Sequence, residues 1–343
     1  LVLVGGYVWQ QEQRPDLMPW HKAVLDAEFR AADAAGYRGF DDYLQQEERL
    51  FGQLQHEVYD RVETTEQTPF NRYATNSLLN PQNHRQNWNR TFVLEPERPV
   101  GGVLMLHGLS DSPYSLRRPA EVLNARGYHV VGPRLPGHGT TPSMLARSDV
   151  EDWRAVVRLA YRHLQQQVGP DARLVVVGYS NGGALALDLA LDSLTDPSIP
   201  TPDHVVLLSP AIGIMKAAAL ARAHHALSWM PWFRKLGWQT IEPEFDPFKY
   251  TSFPTDAGYE THVLTRSVRH RVARLDDGKL AAMPPVLGFI SLADATVLVE
   301  AVVDGLFDRL DNPDNELVIF DINRQAKMLG FFRNDPAERL QSL

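Results

Sequence analysis

From about Thr91 onward, short apolar runs alternate with amphipathic stretches of helical spacing, and this alternation constrains the fold more than any other feature. Buried parallel strands are continuous apolar runs, and a helix usually connects each one to the next. The pattern therefore predicts an α/β fold with a mostly parallel central sheet flanked by helices. We predict strands at 102–106, 129–132, 173–177, 204–208, 285–290 and 316–320, and helices near 116–126, 150–167, 182–192 and 297–310.

Two regions lack this alternation. Residues 10–90 are polar, with helical spacing of apolar residues between 43 and 58, and indicate a mainly helical extension packed on the main body. Residues 211–283 are rich in Ala, His, Trp and Pro, and indicate a helical cap inserted over the carboxyl edge of the sheet. The prediction is an N-terminal extension (1–90), an α/β core (91–210 and 284–343) and a cap or lid insertion (211–283).

Charge and cysteine content exclude several classes of function. The 343 residues carry 34 basic and 42 acidic side chains, a formal net charge of -8, so we expect no nucleic-acid partner. Cysteine is absent, which excludes disulfides, thiolate metal sites and a cysteine nucleophile. The adjacent His224 and His225 diverge on a helix and have no third ligand, so we expect no metal site there.

The chain begins with an apolar stretch, residues 1–9, which is far shorter than the ~20 residues that span a bilayer. Such a stretch is typical of the trimmed end of a signal peptide or anchor helix, but equally of an ordinary strand or a cloning boundary. The first interpretation favours an exported or membrane-anchored protein on the periplasmic side, associated with a lipid surface through a removed segment. The sequence does not indicate an oligomeric state.

The motif that carries chemistry is the apolar run 174–177 followed by Gly178-Tyr179-Ser180-Asn181-Gly182. A serine at a glycine-flanked turn from strand to helix is held in a strained conformation that projects its Oγ above the sheet. Gly178 and Gly182 are expected because a side chain at either position would crowd the crossing of strand and helix. We predict Ser180 as the nucleophile of an acyl transfer.

A second turn from a strand into a glycine spans residues 103–110. Acyl transfer needs hydrogen-bond donors aimed at the developing oxyanion, and we assign these to the N–H groups of Asn181 and Leu109. His107 is expected to brace its loop by hydrogen bonding and not to act as the base. The acidic pairs Asp41-Asp42 and Glu47-Glu48 indicate a solvated face.

The acid and the base of a serine hydrolase of this kind follow the nucleophile in the order Ser, Asp or Glu, His. Asp294, just after the fifth predicted strand, is the predicted acid, and a helix cap is the alternative role for it. No histidine follows Asp294, and Gln325, in the expected place, has no useful basicity. Three explanations stay open: the chain stops before a catalytic histidine, an earlier histidine such as His138, His262 or His270 serves, or the site has no base.

Three segments, at 106–113, 134–140 and 178–183, resemble the monoacylglycerol-lipase and serine-aminopeptidase-like branch of the α/β-hydrolase superfamily. The resemblance covers residues 91–323. It implies the α/β-hydrolase fold, hydrolysis of esters of small or acyl-chain substrates, a cap over the pocket and no cofactor. In that branch the Pro-Gly-His-Gly turn that contains His138 belongs to the scaffold.

These features together predict a serine esterase or lipase that acts on an apolar ester or acylglycerol through an acyl-enzyme. The apolar side chains between 212 and 238 favour an apolar substrate. Two alternatives stay open. One is a peptidase or lactonase with the same machinery, in which Glu242 or Glu244 would bind a substrate amine. The other is a catalytically impaired hydrolase scaffold that binds a lipid or a partner.

Overall fold

The computed structural model describes residues 13–213, 231–292, 299–310 and 312–321. In this part of the chain the central sheet has seven strands in the order β1-β3-β2-β4-β5-β8-β9, and only β1 runs antiparallel to its neighbour. The central strands are β1 (Phe92–Leu94), β2 (Gly101–Leu106), β3 (Tyr128–Gly132), β4 (Arg173–Tyr179), β5 (His204–Leu208), β8 (Val286–Ser291) and β9 (Glu316–Phe320). A separate antiparallel pair joins β6 (Trp238–Thr240) to β7 (Phe253–Pro254).

All six predicted strands are present, and the α/β prediction is confirmed. The sequence missed β1, β6 and β7 because two or three residues are too few to show an alternating pattern. The described helices are α1 (Pro19–Lys22), α2 (Phe40–Glu57), α3 (Arg117–Asn124), α4 (Pro142–Leu145), α5 (Val150–Val168), α6 (Asn181–Ser193), α7 (Thr255–Val272), α8 (Asp277–Ala281) and α9 (Val299–Val303).

Both faces of the sheet are covered, because successive residues of a strand point to opposite sides. In β2, Leu104 and Leu106 belong to the larger apolar core, whereas Val103 and Met105 belong to a second core on the other face. Helices α5 and α6 pack on the first face, and α3 packs on the second. Helix α5 begins at a local signal, since the Asp149 side chain accepts hydrogen bonds from the first free N–H groups of the helix.

Helix α7 lies inside the range 211–283 that the sequence pattern assigned to a cap, but it packs on the core. Its buried residues Leu264, Val268 and Val272 belong to the same apolar core as the inner residues of α5 and α6. These three residues recur every fourth position, which is the stripe of an amphipathic helix. The range 211–283 therefore includes a helix that helps to bury the sheet.

The described part of the N-terminal extension, residues 13–90, has one long helix, α2, and otherwise consists of the short α1, 3₁₀ turns and irregular chain. It packs on the main body in two ways. Phe29, Phe40 and Tyr43 enter the larger core. A further apolar cluster joins α1 and α2 to Met144 in α4.

No helix among the described residues is long and apolar enough to cross a membrane. The apolar stretch 1–9, on which the expectation of a signal or anchor segment rests, lies outside the described residues.

Candidate active site

Ser180 lies in the turn between β4 and α6, with φ 52° and ψ -115°. A positive φ is costly for any residue other than glycine, and it persists only where the surroundings impose it. Here the Ser180 N–H donates to the carbonyl of Leu208 at 2.9 Å, and its own carbonyl accepts from the N–H groups of Gly183 and Ala211, each at 2.9 Å. The strained turn predicted from the motif is therefore present.

Gly178 and Gly182 leave no room for a side chain, as the sequence predicted. A Cβ on Gly178 would lie 2.2 Å from the carbonyl oxygen of Gly182, and a Cβ on Gly182 would lie 2.0 Å from the carbonyl oxygen of Leu106. Both distances are far below van der Waals contact. The motif therefore lets α6 start directly against the end of β2.

The loop 107–111, which follows β2, comes next to Ser180. A Cβ on Gly108 would lie 3.3 Å from Cβ of Ser180 and 3.1 Å from the ring of Tyr179. The N–H groups of Leu109 and Asn181 donate to no acceptor among the described residues. Asn181 is the first residue of α6, where N–H groups lack partners within the helix and the helix dipole favours negative charge. This arrangement suits an anion that forms beside Ser180.

His107 braces this loop, as predicted. Its Nε2 accepts a hydrogen bond from the N–H of Leu135 at 3.0 Å, so Nδ1 carries the proton and donates to the carbonyl of Gly108 at 2.9 Å. Burial lowers the pKa of His107 well below its ordinary value, and the neighbouring His138 lowers it further. The side chain is therefore neutral and has both ring nitrogens engaged.

None of the three earlier histidines suggested as bases forms a hydrogen bond with Ser180 in the described part of the chain. His138 is fully buried, donates from Nδ1 to the carbonyl of Pro136 at 3.0 Å, and has its pKa lowered to about 4 by burial. His262 and His270 lie on α7. Within the described residues, Oγ of Ser180 has no hydrogen-bond partner, so none of these histidines is bonded to it.

Asp294, the predicted acid, lies outside the described residues, as do Gln325, His224 and His225. The strand that precedes Asp294 is present as β8, and the N–H of Leu292 extends its pairing to β9. Much of the apolar set predicted for the cap also lies outside the description. Three members of this set are buried: Ile212, Leu236 and Trp238.

Glu244 was one of the two carboxylates suggested for binding a substrate amine. It is buried, and its oxygens accept from the backbone N–H groups of Ser252 at 2.9 Å and Thr251 at 3.2 Å. Burial raises its pKa, and the guanidinium of Arg72 opposes that shift. Glu242 is exposed. Glu244 therefore holds a loop in place, with both oxygens engaged.

The sequence prediction for Glu47 was wrong. Glu47 is buried and not on a solvated face, because it pairs with the buried Arg134, which also pairs with Glu28. Arg134 is 87 residues from Glu47 and 106 from Glu28 along the chain. No local pattern could match partners so far apart. The available signal was the single arginine of the segment 134–140, directly after the predicted buried strand 129–132, since a buried arginine requires a carboxylate.

Comparison with known proteins agrees with this geometry. The model of the Alpha/beta hydrolase family matches residues 103–329, about two thirds of the chain. A thermostable monoacylglycerol lipase from Bacillus sp. (strain H-257) is 30% identical over 222 residues, which make up 64% of this chain and 80% of the lipase.

Solved structures show the same fold. A structure of the metagenome-derived lipolytic enzymes LipS and LipT superposes with a TM-score of 0.54 at 22% identity, over 71% of this chain and 97% of the other. The monoacylglycerol lipase of Paleococcus ferrophilus superposes with a TM-score of 0.51 at 19% identity, over 68% and 89% of the two chains. The chain therefore belongs to the alpha/beta hydrolase family, in the branch of lipases and esterases that hydrolyse carboxylic esters.

Proposed function

We propose that this chain is a serine esterase of the monoacylglycerol-lipase type, with Ser180 as its nucleophile. The observation that carries the proposal is the position of Ser180, in a positive-φ turn at the start of α6 and beside the loop 107–111. The similarity to a monoacylglycerol lipase over most of that enzyme's length supports a glycerol monoester or a related apolar ester as substrate.

In the proposed reaction, Oγ of Ser180 attacks the ester carbonyl carbon and gives up its proton to a base. The carbonyl oxygen becomes an oxyanion, which the N–H groups of Asn181 and Leu109 stabilise. The alcohol then leaves with a proton from the conjugate acid, and an acyl-serine remains. Water, deprotonated by the same base, hydrolyses this ester and releases the fatty acid.

The base must be a group with a pKa near neutrality, oriented in our proposal by Asp294. His107 and His138 do not meet this requirement. Burial keeps the pKa of His107 far below its ordinary value and lowers that of His138 to about 4, and both rings are hydrogen-bonded to the backbone. The lower limb of a profile of kcat/KM against pH measures the pKa of the real base, and we expect it between about 6 and 7.

The proposal favours an ester over a peptide substrate. An aminopeptidase needs a carboxylate facing the substrate amine, and Glu244 is engaged by two backbone N–H groups instead. Buried apolar residues such as Ile212 and Trp238, in the segments that flank the undescribed residues 214–230, are consistent with an apolar substrate.

The test is hydrolysis of monoacylglycerols of graded chain length, compared with aminoacyl p-nitroanilides. We expect release of fatty acid by the wild-type protein, no cleavage of the anilides, and a loss of at least ~10³-fold in kcat for Ser180→Ala. Ser209→Ala is the matched control, because Ser209 also has a positive φ, 42°, just after the neighbouring strand β5. Cleavage of the anilides in preference to the esters would overturn the substrate class, and equal activity of Ser180→Ala would overturn the nucleophile.

A further inference from the structure

The N-terminal extension contacts the turn 134–140 of the core, and a buried cluster of charged side chains forms between them. Arg134, 1% exposed, forms a two-pronged pair with Glu28, Nη2 to Oε1 at 2.8 Å and Nη1 to Oε2 at 3.0 Å. Its Nε donates to Oε2 of Glu47 at 3.2 Å. One buried cation of the hydrolase core thus depends on two carboxylates that the extension supplies.

The extension also bonds to the backbone of the same turn. Oε2 of Glu28 accepts from the N–H of Gly137 at 2.9 Å. The hydroxyl of Tyr43 donates to the carbonyl of Arg134 at 2.5 Å, and that of Tyr73 donates to the carbonyl of Thr140 at 2.9 Å. These bonds hold the backbone of the turn at its start, middle and end.

Thr91, at the junction of extension and core, ties the cluster together. Its Oγ1 donates to Oε2 of Glu47 at 2.7 Å and accepts from the N–H of Arg134 at 2.9 Å. Its own N–H donates to Oε1 of Glu47 at 2.9 Å. One hydroxyl therefore links a carboxylate of α2 to the backbone of the turn.

The turn 134–140 is hydrogen-bonded to the loop 107–111, which lies beside Ser180. The N–H of Leu135 donates to Nε2 of His107 at 3.0 Å, and Nδ1 of His107 donates to the carbonyl of Gly108 at 2.9 Å. A Cβ on Gly108 would lie 3.3 Å from Cβ of Ser180, and Gly108 precedes Leu109. Hydrogen bonds therefore join Glu47 to Arg134 and Leu135 to His107, and the peptide bond between Arg134 and Leu135 connects the two to the loop 107–111.

We propose that the N-terminal extension positions the loop 107–111 against Ser180, with Glu28 and Glu47 as positioning residues that act through Arg134 and His107. The inference rests on the proposed function, because the catalytic role of the loop follows from Leu109 as an oxyanion donor. The guanidinium also donates to the carbonyls of Leu135 and His138. Loss of a carboxylate therefore also changes the hydrogen bonds that the guanidinium makes to carbonyls within the turn 134–140.

The first test uses Thr91→Val, which removes the hydroxyl at nearly constant volume, and Thr91→Ser, which retains it. Glu47→Gln removes the charge, and Glu57→Gln is its control on the same helix, since Glu57 forms an exposed pair with Arg61. The assay is steady-state ester hydrolysis well below the unfolding temperature. It is combined with inhibition by a trifluoromethyl ketone, whose adduct with a serine resembles the tetrahedral intermediate.

We expect kcat to fall ~10- to 100-fold in Thr91→Val and Glu47→Gln, with KM within about threefold of wild type, because misplacement of about 1 Å in a catalytic group costs up to ~10²-fold. Binding of the trifluoromethyl ketone should weaken in parallel. Thr91→Ser and Glu57→Gln should match the wild-type protein. A merely structural role would lower the unfolding temperature without changing kcat or the affinity for the ketone, and that result would overturn the inference.

The second test does not depend on activity. Hydrogen exchange of the amides in residues 107–111 should be faster in Thr91→Val and Glu47→Gln than in their two controls. If the wild-type protein proves inactive, the proposed function fails, and the exchange rates alone decide the inference. Equal exchange in all four variants would overturn the positioning role, whereas an active protein that loses nothing in Ser180→Ala would overturn only the assignment of the nucleophile.

Discussion

Gly108 approaches Ser180 so closely that a methyl group on the glycine would lie 3.3 Å from Cβ of the serine. This contact brings the loop after β2 to the start of α6, and we propose the N–H groups of Leu109 and Asn181 there as the oxyanion donors. The distance is tighter than ordinary van der Waals contact, so the spacing between loop and serine is sensitive to a single methyl group.

Gly108→Ala is expected to separate the loop 107–111 from Ser180 without unfolding the protein. The new methyl group meets the Tyr179 ring at 3.1 Å as well, so the loop must move by a few tenths of an ångström. We expect a loss of ~10-fold in kcat and a cost of about 1 kcal/mol in the free energy of unfolding. Steady-state kinetics and urea unfolding measure the two effects.

Gly52→Ala is the control for that substitution. Gly52 lies within α2 and is exposed, and nothing lies within 4 Å of the position that its Cβ would take. Alanine there should raise the free energy of unfolding by about 0.5–1 kcal/mol and leave kcat unchanged. An unchanged kcat in Gly108→Ala would contradict the proposed role of the loop.

The buried cluster around Arg134 should dominate the stability of the junction between extension and core. Glu28→Gln leaves the guanidinium with one buried carboxylate, and breaking a buried pair in this way typically costs about 3–5 kcal/mol. Urea unfolding at neutral pH measures this cost. Glu57→Gln, in a partly exposed pair with Arg61, should change the free energy of unfolding by less than about 0.5 kcal/mol. Similar values for the two variants would show that the cluster does not hold the extension in place.

Asp188 tests the assignment of α7 to the core. Its carboxylate is buried on α6 and accepts two hydrogen bonds from Arg154 at 2.8 Å and one from Arg271 of α7 at 2.9 Å. Asp188→Asn should lower the free energy of unfolding by about 2 kcal/mol, since hydrogen bonds to charged groups contribute more than neutral ones. The exposed Asp171→Asn should have no measurable effect. Equal stability of the two variants would contradict this packing of α7.

Histidine burial predicts a loss of stability in mild acid. Burial lowers the pKa of His21 and of His138 to about 4, and that of His107 well below its ordinary value. Between pH 6.5 and 4 the unfolded chain therefore binds protons that the native protein excludes, so stability falls as the pH falls through this window. Each such histidine contributes a slope of up to about 1.4 kcal/mol per pH unit.

Asp111 acts in the opposite direction. Burial raises its pKa to about 6, so the native protein takes up one proton between pH 6 and 4 and offsets about one histidine. Urea unfolding at pH 7.0 and 5.5 measures the net change in the free energy of unfolding. His138→Gln should reduce the number of protons taken up on unfolding by about one, and with it the dependence of stability on pH. Stability that stays constant from pH 7 to 5 would contradict the neutral, buried state of these histidines.

Sequence reasoning was most successful where the physical constraint is local. The strands were predicted from apolar runs, and the turn at Ser180 from glycines that must lie where strand and helix cross closely. Each of these signals is contained within about ten consecutive residues. The bracing role of His107 was likewise predicted from its place in a turn beside a strand. Helix α7 was not placed individually within the helical cap predicted for 211–283, although Leu264, Val268 and Val272 form a helical stripe, because the region was interpreted by its composition rather than by its spacing.

The ion cluster of Glu28, Glu47 and Arg134 could not be predicted from the sequence for a different reason. Glu47 and Glu48 are adjacent acidic residues on a helix, and only the fold decides that Glu47 turns inward to Arg134 while Glu48 remains at the surface. Pairings across 87 and 106 residues depend on how the extension docks, which the pattern of either segment does not contain.

The central claim is that Ser180 is an activated nucleophile, and the most direct measurement is intact mass after reaction with a fluorophosphonate probe. We predict a single adduct on the wild-type protein and on Ser209→Ala, and none on Ser180→Ala. Peptide mapping should place the adduct between β4 and α6. A folded wild-type protein without an adduct, or an adduct that persists in Ser180→Ala, would contradict the claim.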